Sequence, residues 1–589
     1  MACCRSGPRR ALALVVLLVA AATASARQLH AALKNLDLLK GKARVLEQDF
    51  PGHSARLLLV HPRNQRPVHV RLRDRSQLAG VTTGMDVEAQ GVWEDRFLHR
   101  DPAGEPPDGG DKQPASSEPD AARIFTALTI KVTGSPVTPK PMTVAAPLSE
   151  DELAAAALIA KASTIVPSTV STSGTADSPN GGFINVTQGG GSWVYNQLMT
   201  GGMPTLVIPI VGVTSAGTPC RGTGPAPLNR SQIQQAVFEE MQADPGVSTV
   251  GSTYNYCSYG KTRLTTDNSL VADTVRLGCS GRRHAGGLRG GRDDGRGEGI
   301  YGVPWSMATC EFDDFNGWAD AADAALKARG VDVDQYFYRV YLVPPGICTF
   351  VGLAYLGCDG TFPCRAWIGG GYWGNDQTIA HELGHHLYMN HAGSVVAGAY
   401  DEYADESCGM GYCCADRCFN MPHAWQLGWS AVREFNATTL PRGRTVNVSL
   451  ASQSAFAASL LPIRNGLRVV PSWAAGGEPM WMSFRTRTRG DLGLLSGYEN
   501  RVHIHTSALA DPLDSAFTTW EAMLPVGKSW THPILNVTVR RYPSTNPNAA
   551  VVTLCRYYRA ETRLSCLYSL DYDCNGLAGA DDPGCDVYL

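Results

Sequence analysis

Three absences in this 589-residue sequence limit what the protein can be. A formal net charge of −3 shows no bias towards nucleic acid or anionic lipid, so neither is an expected partner. Beyond the N-terminus no apolar run approaches the roughly twenty residues that a helix needs to cross a bilayer, so no membrane span is expected. Cysteine is absent between Arg27 and Pro219, although the rest of the chain is rich in it. This contrast predicts different structural roles for the two parts.

Residues 1–26 have the composition of a secretory signal peptide. An arginine-rich start precedes an apolar run and the small residues Ala24-Ser25-Ala26. Cleavage before Arg27 would remove Cys3 and Cys4 and leave 15 of the 17 cysteines, which in an oxidising compartment are expected to form disulfides with at least one thiol left over. We therefore expect a secreted protein of the extracellular matrix, the cell wall or the periplasmic space outside the plasma membrane. Five glycosylation sequons fit a glycoprotein: Asn185, Asn229, Asn436, Asn447 and Asn536.

The N-terminal region over 27–162 is interpreted as a β-rich propeptide. Four segments alternate apolar and polar residues, which predicts a small antiparallel domain of barrel type. These segments are Arg56–His61, His69–Arg73, Met85–Trp93 and Ile124–Val132. A capping box before an alanine-rich run predicts a short helix over 153–162, and residues 163–199 form a Ser, Thr and Gly-rich linker.

The region over 200–435 is predicted to be the catalytic domain, an α/β sandwich. Continuous apolar runs predict buried strands at Pro204–Val213, Tyr338–Val343 and Arg365–Gly369, and helical periodicity predicts a helix over Phe315–Ala328. Residues 280–299 are rich in Gly and Arg and are interpreted as a surface insertion, with a basic binding loop as the alternative.

Residues 436–589 lack helical periodicity and predict a C-terminal β-sandwich. Strands are expected at Val446–Leu450, Trp481–Arg487, Arg501–His505 and Val537–Arg541. The last four cysteines are expected to tie down the terminal segment. His503 and His505 alternate on one of these strands and are interpreted as structural residues, with metal binding as the alternative.

The segment HELGHHLYMNH, His381 to His391, carries the pattern of a zinc peptidase. If Asp376 caps a helix that runs through Leu387, His381 and His385 project from one face towards a single ion. Glu382, beside them, can take a proton from bound water without itself binding the metal. A chain reversal beyond the helix would return His391 as a third ligand. His386 points away from the ion and is interpreted as solvated or as a support for the ligands.

This run resembles the zinc signature of the metzincins, and its surroundings resemble the gametolysins. The segment Asn420 to Trp429 is similar to the stretch that follows the methionine turn in that family, and Cys257 to Thr262 matches its upstream strand region. Gametolysins are secreted metallopeptidases of volvocine green algae that cleave hydroxyproline-rich glycoproteins of the wall and matrix. The resemblance implies zinc as cofactor, a matrix or cell-wall protein as substrate, Glu382 as catalytic base and Met410 as the turn residue. The resemblance does not specify an oligomeric state.

Two positions near the metal need separate interpretation. Metzincins have Gly where this chain has Tyr388, so either the turn shifts to Asn390 or the third ligand is presented differently. Tyr412 stands two residues after Met410, where some metzincins place an oxyanion-binding tyrosine; an ordinary aromatic in a disulfide loop is the alternative. The cluster Cys408, Cys413, Cys414 and Cys418 is expected to form disulfides in preference to a second zinc site.

Two functions follow from these patterns. The first is a secreted zinc endopeptidase that remodels glycoprotein matrix. The second is a non-catalytic matrix glycoprotein that keeps the fold and uses its β domains for binding. A propeptide without cysteine must in the first case block the cleft with another group or by steric exclusion.

Overall fold

The structure is a computed structural model, and it describes fourteen stretches of the chain. These are residues 37–50, 53–61, 68–72, 75–78, 80–94, 124–134, 193–194, 201–244, 246–283, 303–358, 363–413, 415–455, 459 and 462–588. The predicted signal peptide, the helix over 153–162, most of the linker and residues 284–299 of the insertion lie outside them. The chain forms two compact units, one of residues 1–44 with 57–135 and one of residues 45–56 with 136–589. None of the helices described is long and apolar enough to cross a membrane.

The first unit is a β-sheet of short strands. Its strands pair in the order β2, β3, β5, β4, β1, and their bounds are β1 (Asp37–Phe50), β2 (His53–His61), β3 (Val68–Leu72), β4 (Asp86–Glu94) and β5 (Ile124–Gly134). Side chains alternate along them as the sequence predicts, so that Val70, Val87 and Phe125 are buried. Four of the five strands are among those predicted from that alternation; β1 is not, although its residues 39–45 also alternate between apolar or small and basic residues. The unit boundary falls inside β1.

The second unit begins with a mixed sheet that carries helices on both faces. Its strands pair in the order β13, β14, β12, β7, β8, with parallel pairing from β14 to β8. The elements in chain order are β6 (Trp193–Val194), β7 (Thr205–Gly212), α1 (Arg230–Val237), α2 (Val250–Cys257), β8 (Leu270–Val271), β9 (Val275–Leu277), β10 (Ser280–Arg283), β11 (Val303–Ser306), α3 (Phe312–Ala328), β12 (Tyr338–Leu342), β13 (Gly352–Tyr355), β14 (Cys364–Ile368) and α4 (Asp376–His386).

Alternation along β12 shows how the two faces of this sheet are covered. Val340 lies in the apolar cluster that contains Ile379 and Leu383 of α4. Tyr341, on the opposite face, donates a hydrogen bond of 2.9 Å to Asp323 of α3. The Asp323 carboxylate also pairs with Arg339 at 2.7 Å and with Arg365 at 3.1 Å, so that the two strand arginines share it under α3. We call these three charged residues the α3 ion network.

The remainder of the second unit consists of two packed β-sheets in which most neighbouring strands are antiparallel. In chain order its elements are β15 (Ala392–Val396), β16 (Ala399–Asp401), α5 (Met421–Gln426), β17 (Ser430–Phe435), β18 (Thr445–Ala451), β19 (Ile463–Val469), β20 (Met480–Arg485), β21 (Arg501–Thr506), β22 (Thr518–Leu524), β23 (Ser529–Thr531), β24 (Val537–Tyr542), β25 (Ala549–Arg556) and α6 (Arg563–Leu567). The larger sheet runs β16, β15, β22, β21, β20, β19, β17, β6, and the smaller runs β18, β25, β24, β23. Their inner faces share one apolar cluster that includes Val448, Met482 and Val552.

The larger sheet combines strands from both sides of residue 435. Strand β15 pairs in parallel with β22, and β17 pairs in parallel with β19. The division at residue 435 therefore does not coincide with a boundary between sheets. The chain as described is mostly β-structure with few helices, which is compatible with a peptidase domain and β-rich flanks.

Disulfides occur only in the second unit among the described cysteines, as the cysteine-free N-terminal region requires. The pairs are Cys220–Cys279, Cys257–Cys418, Cys310–Cys348, Cys358–Cys364, Cys555–Cys574 and Cys566–Cys585. Cys413 is also disulfide-bonded, and Cys408 is a buried free thiol. The expectation that all four cysteines around Met410 are bridged is therefore wrong for Cys408.

Candidate metal centre

Helix α4 presents His381, Glu382 and His385 from one buried stretch. Its N-cap is Asn375, whose side-chain oxygen accepts the Thr378 N–H at 2.7 Å, and not the predicted Asp376, which is the first helical residue. The two histidine rings lie 4.9 Å apart between centroids, as four-residue spacing on a helix dictates. The helix therefore supplies two imidazoles side by side.

The reversal after α4 takes place at Tyr388 itself. This residue adopts φ +69°, and the Met389 N–H donates to the Gly384 carbonyl at 3.2 Å, so that a tyrosine occupies the position usually held by Gly. Its ring is buried against Gly357, where an added Cβ would lie 2.3 Å from the ring. The suggested shift of the turn to Asn390 is not observed. The reversal places the His391 ring 4.9 Å from that of His385.

All three histidines direct the same ring nitrogen, Nε2, to one point, because each uses Nδ1 elsewhere. Nδ1 of His381 lies 3.0 Å from the Gly409 carbonyl, and Nδ1 of His385 lies 2.9 Å from the Met389 carbonyl. A carbonyl oxygen can only accept, so both Nδ1 atoms donate, and their Nε2 atoms are free to carry a lone pair. Nδ1 of His391 lies 3.2 Å from a Glu402 oxygen. This is the arrangement that orients metal-bound histidines in proteins.

The carboxylate of Asp49 lies at the point where the three Nε2 atoms meet. Its oxygens are 3.0 Å from Nε2 of His381, 3.7 Å from that of His385 and 3.1 Å from that of His391. The hydroxyl of Tyr403 donates to the same carboxylate at 2.7 Å. Asp49 and the three histidines thus form one buried group of four metal-ligating side chains.

These residues fit a zinc ion. Two ligands bound about 2.0–2.2 Å from one tetrahedral ion lie roughly 3.3–3.6 Å apart, close to the separations between Asp49 and the three rings. The Nε2 atoms make no other hydrogen bond within the described parts of the chain. Three neutral imidazoles and one carboxylate are a donor set that zinc accepts.

Glu382 lies beside this group without joining it. Its side chain is 1% exposed, and it packs against the backbone of β13 so closely that a Cβ on Gly352 would lie 1.9 Å from Oε1. Oε2 has no hydrogen-bond partner among the described residues. Burial raises the pKa of this carboxyl well above its ordinary value, and the negative charge of Asp49 adds to the increase. Its position suits a group that exchanges a proton next to the ion.

Met410 forms the floor of the site. It is fully buried, and its sulfur lies beneath α4 at Gly384, where an added Cβ would be 2.6 Å away. The carbonyl of the preceding residue, Gly409, is the acceptor for His381, and the Met410 carbonyl accepts the Ala392 N–H at 2.9 Å. The turn at Met410 therefore supports His381 and also Ala392, the residue that follows His391.

Four other residues that the sequence singles out lie outside this group. Tyr412 is 58% exposed, and its described contact is a backbone one, in which its carbonyl accepts from Arg417. His386 is buried rather than solvated; it stacks on Tyr338 at 5.7 Å, and burial lowers its pKa to about 3. His503 and His505 are buried in β21 and bond to the Tyr498 carbonyl and to Asp405, as structural residues do.

Sequence patterns did not identify Asp49, Glu402 or Tyr403. Asp49 is more than three hundred positions before the histidines, and no local spacing links it to them. Glu402 and Tyr403 lie eleven and twelve residues after His391, so a search for acidic and aromatic residues near the third ligand could have found them. Although burial alone would raise it, the hydrogen bond from His391 lowers the pKa of the Glu402 carboxyl to about 2.

A protein-family comparison identifies the family to which this geometry belongs. The model described as gametolysin peptidase M11 matches residues 208–521, which include every residue of the centre except Asp49. The chain belongs to this family. Among its relatives is a protein named Autolysin from Chlamydomonas reinhardtii, which is 24% identical over 436 residues, or 62% of this chain and 67% of the relative. The gametolysin match ends well past residue 435, within β22 of the larger sheet.

Proposed function

We propose that this gametolysin-family protein is a secreted zinc endopeptidase that is made as a zymogen. In this proposal residues 27–162 are a barrel-like propeptide, residues 200–435 form the core of a metzincin-like catalytic region, and residues 436–589 form a C-terminal β-sandwich. The observation that carries the proposal is the convergence of three Nε2 atoms beside a buried glutamate. His381, His385 and His391 would hold the ion. Family membership supports a peptidase that depends on a metal.

The proposed chemistry assigns each nearby side chain a role. Bound zinc would polarise the scissile carbonyl and activate a water molecule for attack. Glu382 would accept the proton of that water on its unpartnered Oε2 and later deliver it to the leaving amine. Tyr403, whose hydroxyl already donates into the centre at 2.7 Å from Asp49, is better placed than the exposed Tyr412 to donate a hydrogen bond to substrate oxygen.

We propose extracellular-matrix or cell-wall glycoprotein, including hydroxyproline-rich protein, as the substrate class. The support is the family and the relative named Autolysin. An extended peptide would be accommodated along β13 in place of residues 46–49, which pair antiparallel with this strand.

The test is peptide hydrolysis by purified, processed protein with and without a zinc chelator. We expect chelation to abolish cleavage, zinc to restore it, and Glu382→Gln to lower kcat by at least about 100-fold with zinc still bound, since a general base typically contributes that much. Glu499→Gln, which changes a carboxylate of the C-terminal region that is not among the candidate metal-ligating groups, serves as the control. Stoichiometric zinc without turnover of any matrix protein would instead support a non-catalytic matrix glycoprotein.

A further inference from the structure

A group of four carboxylates lies in the C-terminal tail, far along the chain from the proposed zinc ligands. Oxygens of Glu561, Asp571, Asp573 and Asp582 all lie within 4.8 Å of one another. Three of the four residues are buried, and Asp582 is completely so. Within the described residues no lysine, arginine or histidine forms an ion pair with any of them. The Arg540 guanidinium is close, but it donates to the Cys574 carbonyl at 3.4 Å.

Asp582 provides an independent indication of a missing ligand. Its Oδ1 accepts hydrogen bonds from the Asn575 amide at 3.1 Å and from the Gly584 N–H at 2.8 Å. Its Oδ2 is buried and has no hydrogen-bond partner in the described part of the chain. A fully buried carboxylate oxygen without a partner is unfavourable unless a cation or a hydrogen-bond donor meets it.

The spacing of these residues is that of a calcium-binding loop. Asp571, Asp573 and Asn575 occupy alternate positions, Gly576 follows, and Asp582 comes eleven residues after Asp571. This is the order of positions 1, 3, 5, 6 and 12 in the helix-flanked calcium loop, with Asp in place of the final Glu. Gly576 adopts φ +92°, the sharp turn for which that position uses Gly. Asp571 accepts the N–H groups of Asn575 and Gly576, both at 3.0 Å.

We propose that this loop is a calcium site, with Asp571, Asp573, Asp582 and Glu561 as its side-chain ligands. All the donors are oxygens, and hard cations such as Ca²⁺ prefer oxygen ligands, whereas zinc prefers nitrogen and sulfur. Two disulfides, Cys555–Cys574 and Cys566–Cys585, hold the loop on either side. The Asp571 N–H donates to the Gly443 carbonyl at 2.9 Å, so the ion would fix the tail to the sandwich through this contact.

The experiment is calorimetric titration of CaCl₂ into the full chain after removal of metals and reloading with zinc. We expect one further site with a dissociation constant between about 10⁻⁷ and 10⁻³ M and a rise in Tm with calcium. Asp582→Asn retains an oxygen to accept from Gly584 but removes the charge, and we expect it to weaken calcium binding at least about tenfold. Asp581→Asn changes the exposed neighbouring carboxylate and should bind as the parent does.

Two outcomes would overturn the proposal. One is absence of a calcium-dependent heat and of a Tm shift at millimolar calcium in the unaltered chain. The other is equal calcium affinity in Asp582→Asn and Asp581→Asn. Because the unaltered chain is titrated first, failure of a variant to fold does not remove the test.

A second inference rests on the proposed zinc peptidase and concerns its inactive form. Residues 45–56, which belong to the second unit, contact the centre at several points. Leu46 to Asp49 pair antiparallel with β13, the Val351 N–H donates to the Asp49 carbonyl at 2.7 Å, and Ser54 donates twice to Glu402. Arg56 pairs with Glu47 and donates to Asn390. The strand edge and the metal position are therefore occupied by the chain itself.

We infer that Asp49 is the fourth zinc ligand of the precursor and keeps it inactive. Its carboxylate takes the position that water or substrate oxygen needs, and residues 46–49 cover the edge along which a substrate would pair. This answers how a propeptide region without cysteine can block a metal centre. Removal of the segment by proteolysis would free one ligand position and the β13 edge together.

The test compares Co²⁺-loaded full-length chains in a Glu382→Gln background that prevents self-cleavage. We expect Asp49→Ala to change the visible absorption of cobalt and to speed metal release to a chelator by about tenfold or more, as loss of a ligand or its support does. Asp86→Ala, which removes a half-exposed carboxylate on β4, should leave both unchanged. An unaltered spectrum in Asp49→Ala, while processed protein that retains Glu382 is active, would refute the inference. A changed spectrum, while no processed form that retains Glu382 is active, would refute the peptidase instead.

Discussion

Tyr388 offers a direct test of the turn that returns His391 to the metal. At φ +69° a residue other than Gly carries a strain of roughly 1–2 kcal/mol, because its Cβ approaches the following carbonyl oxygen. The tyrosine tolerates this because its ring is buried against Gly357. Truncation to Ala removes the ring and retains the strain, and it should cost about 3–5 kcal/mol, the usual loss for a buried aromatic.

Tyr388→Gly separates the two contributions. This variant loses the same ring but relieves the backbone strain. The greater flexibility of Gly in the unfolded chain offsets part of that gain, by about 0.5–1 kcal/mol. We therefore expect the Gly variant to be more stable than the Ala variant by about 0.5–1 kcal/mol. Both should be less stable than the parent protein.

The assay is calorimetric melting of the zinc-loaded chain, with zinc content measured for each variant. Phe315 supplies the control pair, because it is an equally buried aromatic inside α3 with an ordinary helical backbone. There Gly should be the less stable of the two by about 1 kcal/mol, so the order reverses between the two sites. An Ala variant at 388 that melts at or above the Gly variant would show that the backbone there is not left-handed and would refute the reasoning.

Three further predictions concern pH, charge and space. Burial lowers the pKa of His503 to about 3 in the folded protein. Between pH 3 and about 6.5 the unfolded chain therefore binds more protons than the folded one, so the stability of the fold decreases as the pH drops through this window. The Tm of His503→Gln should accordingly decrease less than that of the parent between pH 7 and pH 5. Asp323→Asn leaves the two arginines of the α3 ion network without their shared carboxylate and should cost about 3–5 kcal/mol in thermal unfolding. A loss below about 1 kcal/mol would mean that Asp334, which also pairs with Arg339, and Asp320, which also pairs with Arg365, suffice. Gly352→Ala should depress kcat by displacing Glu382, whereas Gly371→Ala, which meets open space, should not.

How far the sequence predicts this molecule depends on the range of the interaction. The placement of His381 and His385 needs only the period of one helix, and the strands of the first unit need only alternation along Val87 or Phe125. The position of His391 is not fixed by the sequence, because a turn through Tyr388 requires a ring pocket that Gly357 provides from the segment after β13. Asp49 could not be predicted, since its pairing with β13 joins residues about three hundred positions apart.

The acidic loop from Asp571 to Asp582 shows that a pattern visible in the sequence can still leave a binding site unrecognised. Its spacing from Asp571 to Asp582 is visible in the sequence, yet the sequence alone predicted only a tail tied by disulfides. Glu561 lies ten residues before Asp571 and joins the group only through the fold. The unpartnered oxygen of Asp582, which distinguishes a binding site from a solvated acidic turn, also appears only in three dimensions.

The sheet shared across residue 435 has a consequence for how this protein can be divided. The Thr518 N–H donates to the carbonyl of His391 at 3.2 Å, and the Asn390 amide donates to the Ser515 carbonyl. The third histidine is thus held in place by a strand more than a hundred residues later in the chain. A fragment that ends at 435 would expose the edge of β15 and leave His391 without this anchor. Residues 200–435 and the sheets that follow them must therefore be produced as a single folding piece.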